Sequence, residues 1–311
     1  MTLYARPLLT NGATHPAQQF RMLVRDLARG AEGITEGDDL KVTQRSTPGS
    51  GVTVSDGSAI VKGRVNTFQG HYAEANIGSA DVDIAATGAS PRTDMVILRI
   101  EDPEYEGSLD PAVDQVAYFQ VISNVSSSAT TIPDGRTGIP LARVTVPAST
   151  STITNAMITD LRQIANPRTA RSLFTQSPGS ISTALGASTT FNYFSTAAGW
   201  TITIPDWATT VRMKIDICPL RFSVDNFFGS VRATFGASLT LQETLVDDNQ
   251  GTGIRRVGTV VADTLILPAA YRGTSQLLRV QGAGATGNAG RIQVDSGTAM
   301  AVDIEFAEAP R

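Results

Sequence analysis

Residues able to carry chemistry are scarce in this chain. There are two histidines, His15 and His71, and one cysteine, Cys218. A Ser-His-Asp arrangement needs a histidine positioned as base. His71 stands in FQGHYAE, a polar segment that points to a surface or an interface. No Gly-x-Ser-x-Gly elbow precedes a helix, no His-Glu-x-x-His occurs, and zinc finds no cysteine pair. Acids are more plentiful. Asp38 and Asp39 adjoin each other, without the alternating oxygens and closing glutamate of a calcium loop. Glu101, Asp102, Glu104, Glu106 and Asp110 crowd one loop and could hold a cation, yet their spacing has no fixed ligand order. Two carboxylates can cleave a glycosidic bond without histidine, provided they flank a sugar. The run GAGATGNAG at 282–290 lacks the Lys-Ser/Thr ending and the strand–helix setting of a phosphate loop. The residues therefore predict no catalytic site, no metal and no cofactor.

Aromatic residues are a second source of chemistry, since their faces stack on sugars. Phe191, Tyr193, Phe194, Trp200 and Trp207 cluster, joined by Phe222, Phe227 and Phe228. Most are expected to fill a core or a subunit interface. Trp207, in the turn-like PDWATT, is the first candidate for an exposed glycan or receptor contact. Phe227 and Phe228 are the next, because neighbours on a strand cannot both face one core.

The elements that must position these residues are mostly strands. Residues 51–54, GVTV, alternate with the period of a half-buried strand; Asp56-Gly57 is a turn pair, and Ala59, Ile60 and Val61 restart the pattern. The expectation is two strands joined by a short turn. Residues 95–98, MVIL, read as a core strand, followed by strands near 116–122 and 139–146 with a long Ser/Thr/Gly-rich connection between them. Two helices are expected in the first part. One starts with Pro16 in its first turn, capped by Thr14 or His15, and stops near Gly30. Phe20, Leu23, Val24 and Leu27 make its apolar stripe and are the candidate assembly residues, while Arg21, Arg25 and Arg29 read as a solvated face. The other helix covers 153–164, with Ile153, Met157, Leu161 and Ile164 at helical spacing before Asn166-Pro167. Beyond it, short β-type segments recur at 200–204, 211–217, 231–235, 237–246, 256–267, 276–281, 290–295 and 299–306, separated by turn signals. Their cadence predicts an antiparallel β-sandwich or jelly-roll. The chain thus reads as mainly β, with an N-terminal β-rich domain and short flanking helices at 1–170, a linker at 171–180 and a β-sandwich domain at 181–311.

Composition bounds the functional classes. Charged residues make up 17% of the 311 residues, below the roughly 25% usual for globular proteins, which favours burial of surface in an assembly. The net charge of −4 argues against a general nucleic-acid binder. Cys218 lies in the apolar run 215–220 and is expected to be a buried small hydrophobe, unable to form an intrachain disulfide. No basic segment leads into an apolar core at the N-terminus, and no apolar run approaches the length of a membrane span, so neither a signal peptide nor membrane insertion is expected.

Several ordered segments carry a family resemblance. RPLLTNGATHPAQQFRMLVRDLARGAEGITEGDDLKV, GVTVSDGSAIVKGR, SPRTDMVILRIEDPEYEG, GIPLARVTVP and TITNAMITDLRQIANPR together resemble the N-terminal region of minor tail or baseplate proteins from long-tailed actinobacterial phages. The pattern is also similar to the particle-anchoring domain of upper baseplate and receptor-binding proteins, over about residues 1–170. The resemblance implies a virion structural protein, assembled in the host cytoplasm and sited at the tail tip or baseplate. It further implies a homo-oligomer, with a trimer favoured, beside other tail proteins, and a variable C-terminal region that can meet a host cell-surface glycan. Two other readings stay open. One is a secreted or surface carbohydrate-binding module without enzymatic activity; the other is a glycan-cleaving tail enzyme.

Overall fold

The computed structural model describes residue 4, residues 6–195 and residues 199–311. The chain divides into two compact units, Met1–Pro167 with Ala309–Arg311, and Arg168–Glu308. Both are built mainly of antiparallel strands.

The first unit begins with helix α1 (Ala17–Leu27). Strands β1 (Gly33–Ile34), β2 (Val42–Gln44), β3 (Gly51–Val54), β4 (Gly57–Lys62), β5 (His71–Asn76) and β6 (Ala80–Asp83) follow. They make two small sheets, ordered β1-β4-β5 and β2-β3-β6. The expected hairpin at Asp56-Gly57 is therefore corrected: β3 and β4 do not pair, and the turn passes the chain from one sheet to the other. A third sheet, ordered β10-β9-β7-β8, comprises β7 (Arg92–Ile100), β8 (Ala117–Ile122), β9 (Gly138–Val146) and β10 (Ile158–Asp160). Strand β7 is its centre and is covered on both faces. Val96, Leu98 and Ile100 join the main core with Val52, Val61 and Leu141, whereas Met95 and Ile97 pack with Leu161 on the other side. That double coverage explains its unbroken apolar run.

The helix expected over 153–164 is absent. A 3₁₀ turn at Asn155–Met157 leads into β10, which pairs with β9 through Ile158 opposite Val144. The Leu161 amide donates to the Leu141 carbonyl, and Ile34 bridges Ile164 in parallel. Ile153, Leu161 and Ile164 are buried all the same. Apolar residues at helical spacing reach the core here from an extended chain, because pairing with the β9 edge satisfies the backbone where a short solitary helix is only marginally stable. The segment 309–311 returns to this unit: the Arg311 amide donates to the Gly37 carbonyl, and Arg162 donates to the Arg311 carbonyl.

The second unit is a β-sandwich. Its strands are β11 (Thr169–Gln176), β12 (Asn192–Tyr193), β13 (Gly199–Thr203), β14 (Thr210–Ser223), β15 (Phe227–Phe235), β16 (Leu239–Thr240), β17 (Thr244–Asp248), β18 (Arg255–Ile266), β19 (Ser275–Gly284), β20 (Arg291–Gln293) and β21 (Ala299–Ala307). One sheet runs β11-β21-β14-β18, with β20 on the end of β14. The other runs β12-β19-β15-β16, with β13 on β19 and β17 on β15. Strict alternation builds the core: Val211, Met213, Ile215 and Ile217 of β14 point in, as do Met300, Val302, Ile304 and Phe306 of β21. Two expectations are corrected by this pairing. The linker at 171–180 is largely strand, since β11 pairs with β21 over its whole length and Phe174 packs on the core. Cys218 is exposed, because it has the outward parity of Asp216 rather than that of Ile217.

Candidate assembly surface

Helix α1 is held to its unit by the wrong face. An amphipathic helix normally buries its apolar stripe. Here the residue buried deepest within the helix is Gln19, whose side chain donates to the Arg6 carbonyl at 2.9 Å. Gln18 donates to the Phe68 carbonyl at 2.9 Å. No side chain caps the start: Thr14 is exposed, and His15 instead meets the Gln19 side chain at 3.2 Å.

Arg21 is the centre of the attachment. Its Nε donates to the Gln69 carbonyl at 2.8 Å, and Nη2 donates to Glu104 at 2.7 Å and to the Tyr105 hydroxyl at 3.0 Å. Nη1 lies 3.3 Å from Asp102. The guanidinium also sits over two rings, 5.5 Å from the Tyr72 centroid and 5.2 Å from that of Tyr105. Burial opposes its charge, but the hydrogen bonds it donates to Glu104 and Tyr105 raise its pKa above the ordinary value. The Tyr72 hydroxyl is pushed up too, first by burial and then by its hydrogen bond to Asp102 at 2.7 Å. The helix approaches so closely at this point that a Cβ on Gly70, whose φ is +76°, would lie 2.7 Å from the Arg21 carbonyl carbon. His71, expected at a surface or interface, is instead buried at the start of β5.

The apolar stripe is left outside. Phe20 is 46% exposed, Leu23 36% and Leu27 72%, with Val24 half-buried beside them. Phe68, whose carbonyl holds Gln18, is 67% exposed. The four stripe residues named from spacing are thus on one helix face, and the arginine that read as solvated is the anchor instead.

The acidic loop serves that anchor. Asp102 and Glu104 hold Arg21, Glu106 pairs with Arg99 at 3.0 Å, and Glu101 accepts from the Tyr118 hydroxyl at 2.7 Å. Asp110 accepts from the Ala112 amide. Each acid is engaged, Asp102 and Glu104 sharing Arg21, and among the described residues no group of three or more His, Cys, Asp or Glu could hold a metal. Nothing in the spacing of these acids announced an arginine eighty residues upstream.

The aromatic candidates of the second unit separate on inspection. Phe227 is wholly buried against Phe222, their centroids 5.9 Å apart, so its expected role as a contact residue is corrected: it belongs to the core. Phe228 is exposed, as opposite parity requires, and its amide donates to Asn288. Trp207 is half-buried, packed on the core and stacked under Arg168 at 5.5 Å, which leaves less of its ring available than the turn-like sequence suggested. Sequence reasoning passed over a different group on this unit. Arg232 lies 3.8 Å from the Phe191 ring centroid, and Arg279 lies 3.8 Å from that of Tyr193.

No helix among the described residues is long and apolar enough to cross a membrane. No protein-family model and no curated protein matches the chain. Among solved structures, it is similar to a chain of the infectious bursal disease virus Gx strain, with a TM-score of 0.27 and 11% identity over 90% of this chain and 71% of that one. The VP2 subviral particle of the same virus gives a TM-score of 0.27 and 13% identity over 94% and 82%. A Cry1Da tryptic core variant from Bacillus thuringiensis gives 0.19 and 10% over 96% and 56%. Likenesses this distant carry no argument about this chain, and the functional reading rests on its own residues.

Proposed function

We propose that the protein is a structural, non-catalytic component of a phage tail tip or baseplate. The first unit anchors it in the particle through α1, against further copies of itself and neighbouring tail proteins. A trimer around the tail axis or in a peripheral spike is the favoured arrangement, and the sandwich unit is available for a host-surface glycan. The protein is accordingly placed in the virion, after assembly in the host cytoplasm. Two lines support this reading: the resemblance of residues 1–170 to particle-anchoring domains, and the inversion of α1. The second carries it. A helix that spends its polar face on Arg21, Gln18 and Gln19 keeps Phe20, Leu23 and Leu27 for something else.

The test is particle assembly with Leu23→Asp/Leu27→Asp in place of the native chain. Leu27 is largely exposed and Leu23 partly so, and neither belongs to the core, so the variant should melt close to wild type. It should be missing from purified particles. Incorporation at the wild-type level would remove α1 from the interface and with it the main support for an anchoring role.

A further inference from the structure

We propose that the outer face of the β12-β19-β15 sheet is a binding site for an acidic polysaccharide, with Arg232 and Arg279 as its anion-holding pair. This inference does not rest on the particle reading. The register fixes the site. Arg232 of β15 and Tyr193 of β12 both lie opposite Gln281 of β19, and Arg279 lies opposite Thr234 in the adjacent row. The two arginines are therefore diagonal neighbours, with Cβ atoms about 7 Å apart, within reach of one anionic group.

Each guanidinium is prepared for such a ligand. Both are stacked at 3.8 Å on an aromatic ring, Arg232 on Phe191 and Arg279 on Tyr193. Stacking orients the planar group and leaves its N–H edge free for the paired oxygens of a carboxylate or phosphate. Among the described residues Arg232 spends only its Nε, on the Gln281 side-chain oxygen at 2.9 Å. Gln281 is itself buried, and the Tyr193 hydroxyl is fixed by Thr234 at 3.1 Å. Gly199 leaves room for the Arg279 stem, since a Cβ there would lie 2.9 Å from its Cγ. Elsewhere in this unit Arg168, Arg171, Arg212, Arg221, Arg255 and Arg256 each face a carboxylate; Arg272 and Arg291 do not, but neither of those is stacked on a ring beside a second such arginine among the described residues. Among the described residues, neither Arg232 nor Arg279 forms an ion pair. Two unneutralised cations on one face of a chain with net charge −4 mark a place for an external anion.

The surroundings favour a sugar over a nucleic acid. Exposed hydroxyls of Thr201, Thr203 and Ser275 continue the same face beyond Arg279. The Phe191 and Tyr193 rings are each covered on one side by a guanidinium, which halves the aromatic platform open to stacking bases. The anion can be a uronate carboxylate or a phosphodiester in the polymer backbone; both fit the fork.

The full-length chain should be titrated against immobilised polygalacturonate, poly(glycerol phosphate), neutral dextran and single-stranded DNA. Binding is expected to one or both acidic glycans and not to dextran, and the polymer that binds identifies the anion. Arg232→Gln and Arg279→Gln should each weaken it about tenfold, the size of one lost charge-assisted bond. Arg232→Lys/Arg279→Lys keeps charge and stem but not the fork, and should also bind more weakly. If the glutamine variants do not fold, this lysine pair decides. Full affinity in the variants, equal binding to dextran, or DNA binding as tight and as arginine-dependent as glycan binding would each overturn the proposal. The assay contains no particle, so its failure leaves the assembly reading untouched.

Discussion

Replacing Arg21 with alanine should release α1 while the rest of the first unit stays folded. The magnitude follows from the partners. The pair with Glu104 counts for little, since that carboxylate is half exposed and exposed pairs contribute about 1 kcal/mol or less. The Asp102 ion pair is better shielded on both sides, and beside it the Nε bond to the Gln69 carbonyl, a hydrogen bond from a charged donor, is worth about 2 kcal/mol. Stacking on Tyr72 and Tyr105 adds about 0.5 kcal/mol for each ring. A loss of about 3 kcal/mol makes opening roughly 100-fold more frequent. It should stay local, because an eleven-residue helix has little stability alone and its apolar stripe is only partly covered by this unit. Amide hydrogen exchange read by mass spectrometry is the assay. Amides of α1 should exchange about 100-fold faster, while those of β7 keep their protection. Unchanged exchange in α1 would refute the reasoning, since the helix would then be held by something other than its polar face. Equal loss of protection in α1 and β7 would refute it in another way, by showing that the helix and core open together.

Other perturbations follow from the same contacts. Gly70→Ala forces a side chain into a positive-φ position against the Arg21 backbone, and should cost about 2 kcal/mol with the same exchange pattern in α1. Phe227→Ala should destabilise the sandwich unit by about 3–5 kcal/mol in denaturant titration, so any binding defect it shows will track unfolding. Trp207→Ala should also destabilise that unit, by about 2 kcal/mol, because the half-buried ring packs on the core under Arg168. Asp295 is held below the usual carboxylate range, first by the bidentate bond from Arg256 and against the effect of burial. A lowered folded-state pKa means its stabilisation is complete above the unfolded value, about 4, and is lost as pH falls through the folded one. Acid titration of Asp295→Asn should therefore show a shallower loss of sandwich stability below pH about 4 than wild type.

Much of the fold was legible because period and parity survive packing. The β-type segments at 211–217 and 299–306 fall within β14 and β21, and Phe227 and Phe228 do face opposite ways, although parity alone could not say which of the two is buried. What failed was partner choice. The turn at Asp56-Gly57 has hairpin chemistry, but strand pairing is settled by distant residues: β3 takes β2 and β6, while β4 takes β1 and β5. The stripe at 153–164 satisfies a helix, yet the free edge of β9 captured part of it. Along α1 the stripe was read correctly and its environment was not. Sequence shows which residues share a face; it does not show which face meets the protein. That depended on Asp102, Glu104 and Tyr105, which meet Arg21 only after folding. The same holds for Arg232 and Arg279, which lie forty-seven positions apart and share a face only because β15 and β19 pair.

The exposed stripe also limits how it can work. Fully burying a leucine or phenylalanine side chain yields about 1.5–3 kcal/mol, and Phe20, Leu23 and Leu27 already have part of that surface covered. Covering the remainder yields about 3 kcal/mol per helix, and Phe68 adds about 1–2 kcal/mol where the interface reaches it. Association alone costs about 4–15 kcal/mol. Helix α1 is therefore too weak to hold two free copies together at micromolar concentration, which needs about 8 kcal/mol net. It suffices where other contacts already fix the copies beside one another, because the second contact is then intramolecular and its effective concentration is high. The expected outcome is a chain that scatters light as a monomer at micromolar concentration and crosslinks as a trimer on the particle, through cysteines placed at Leu27. A stable trimer in dilute solution, unaffected by Leu23→Asp/Leu27→Asp, would put the principal contact elsewhere on the molecule.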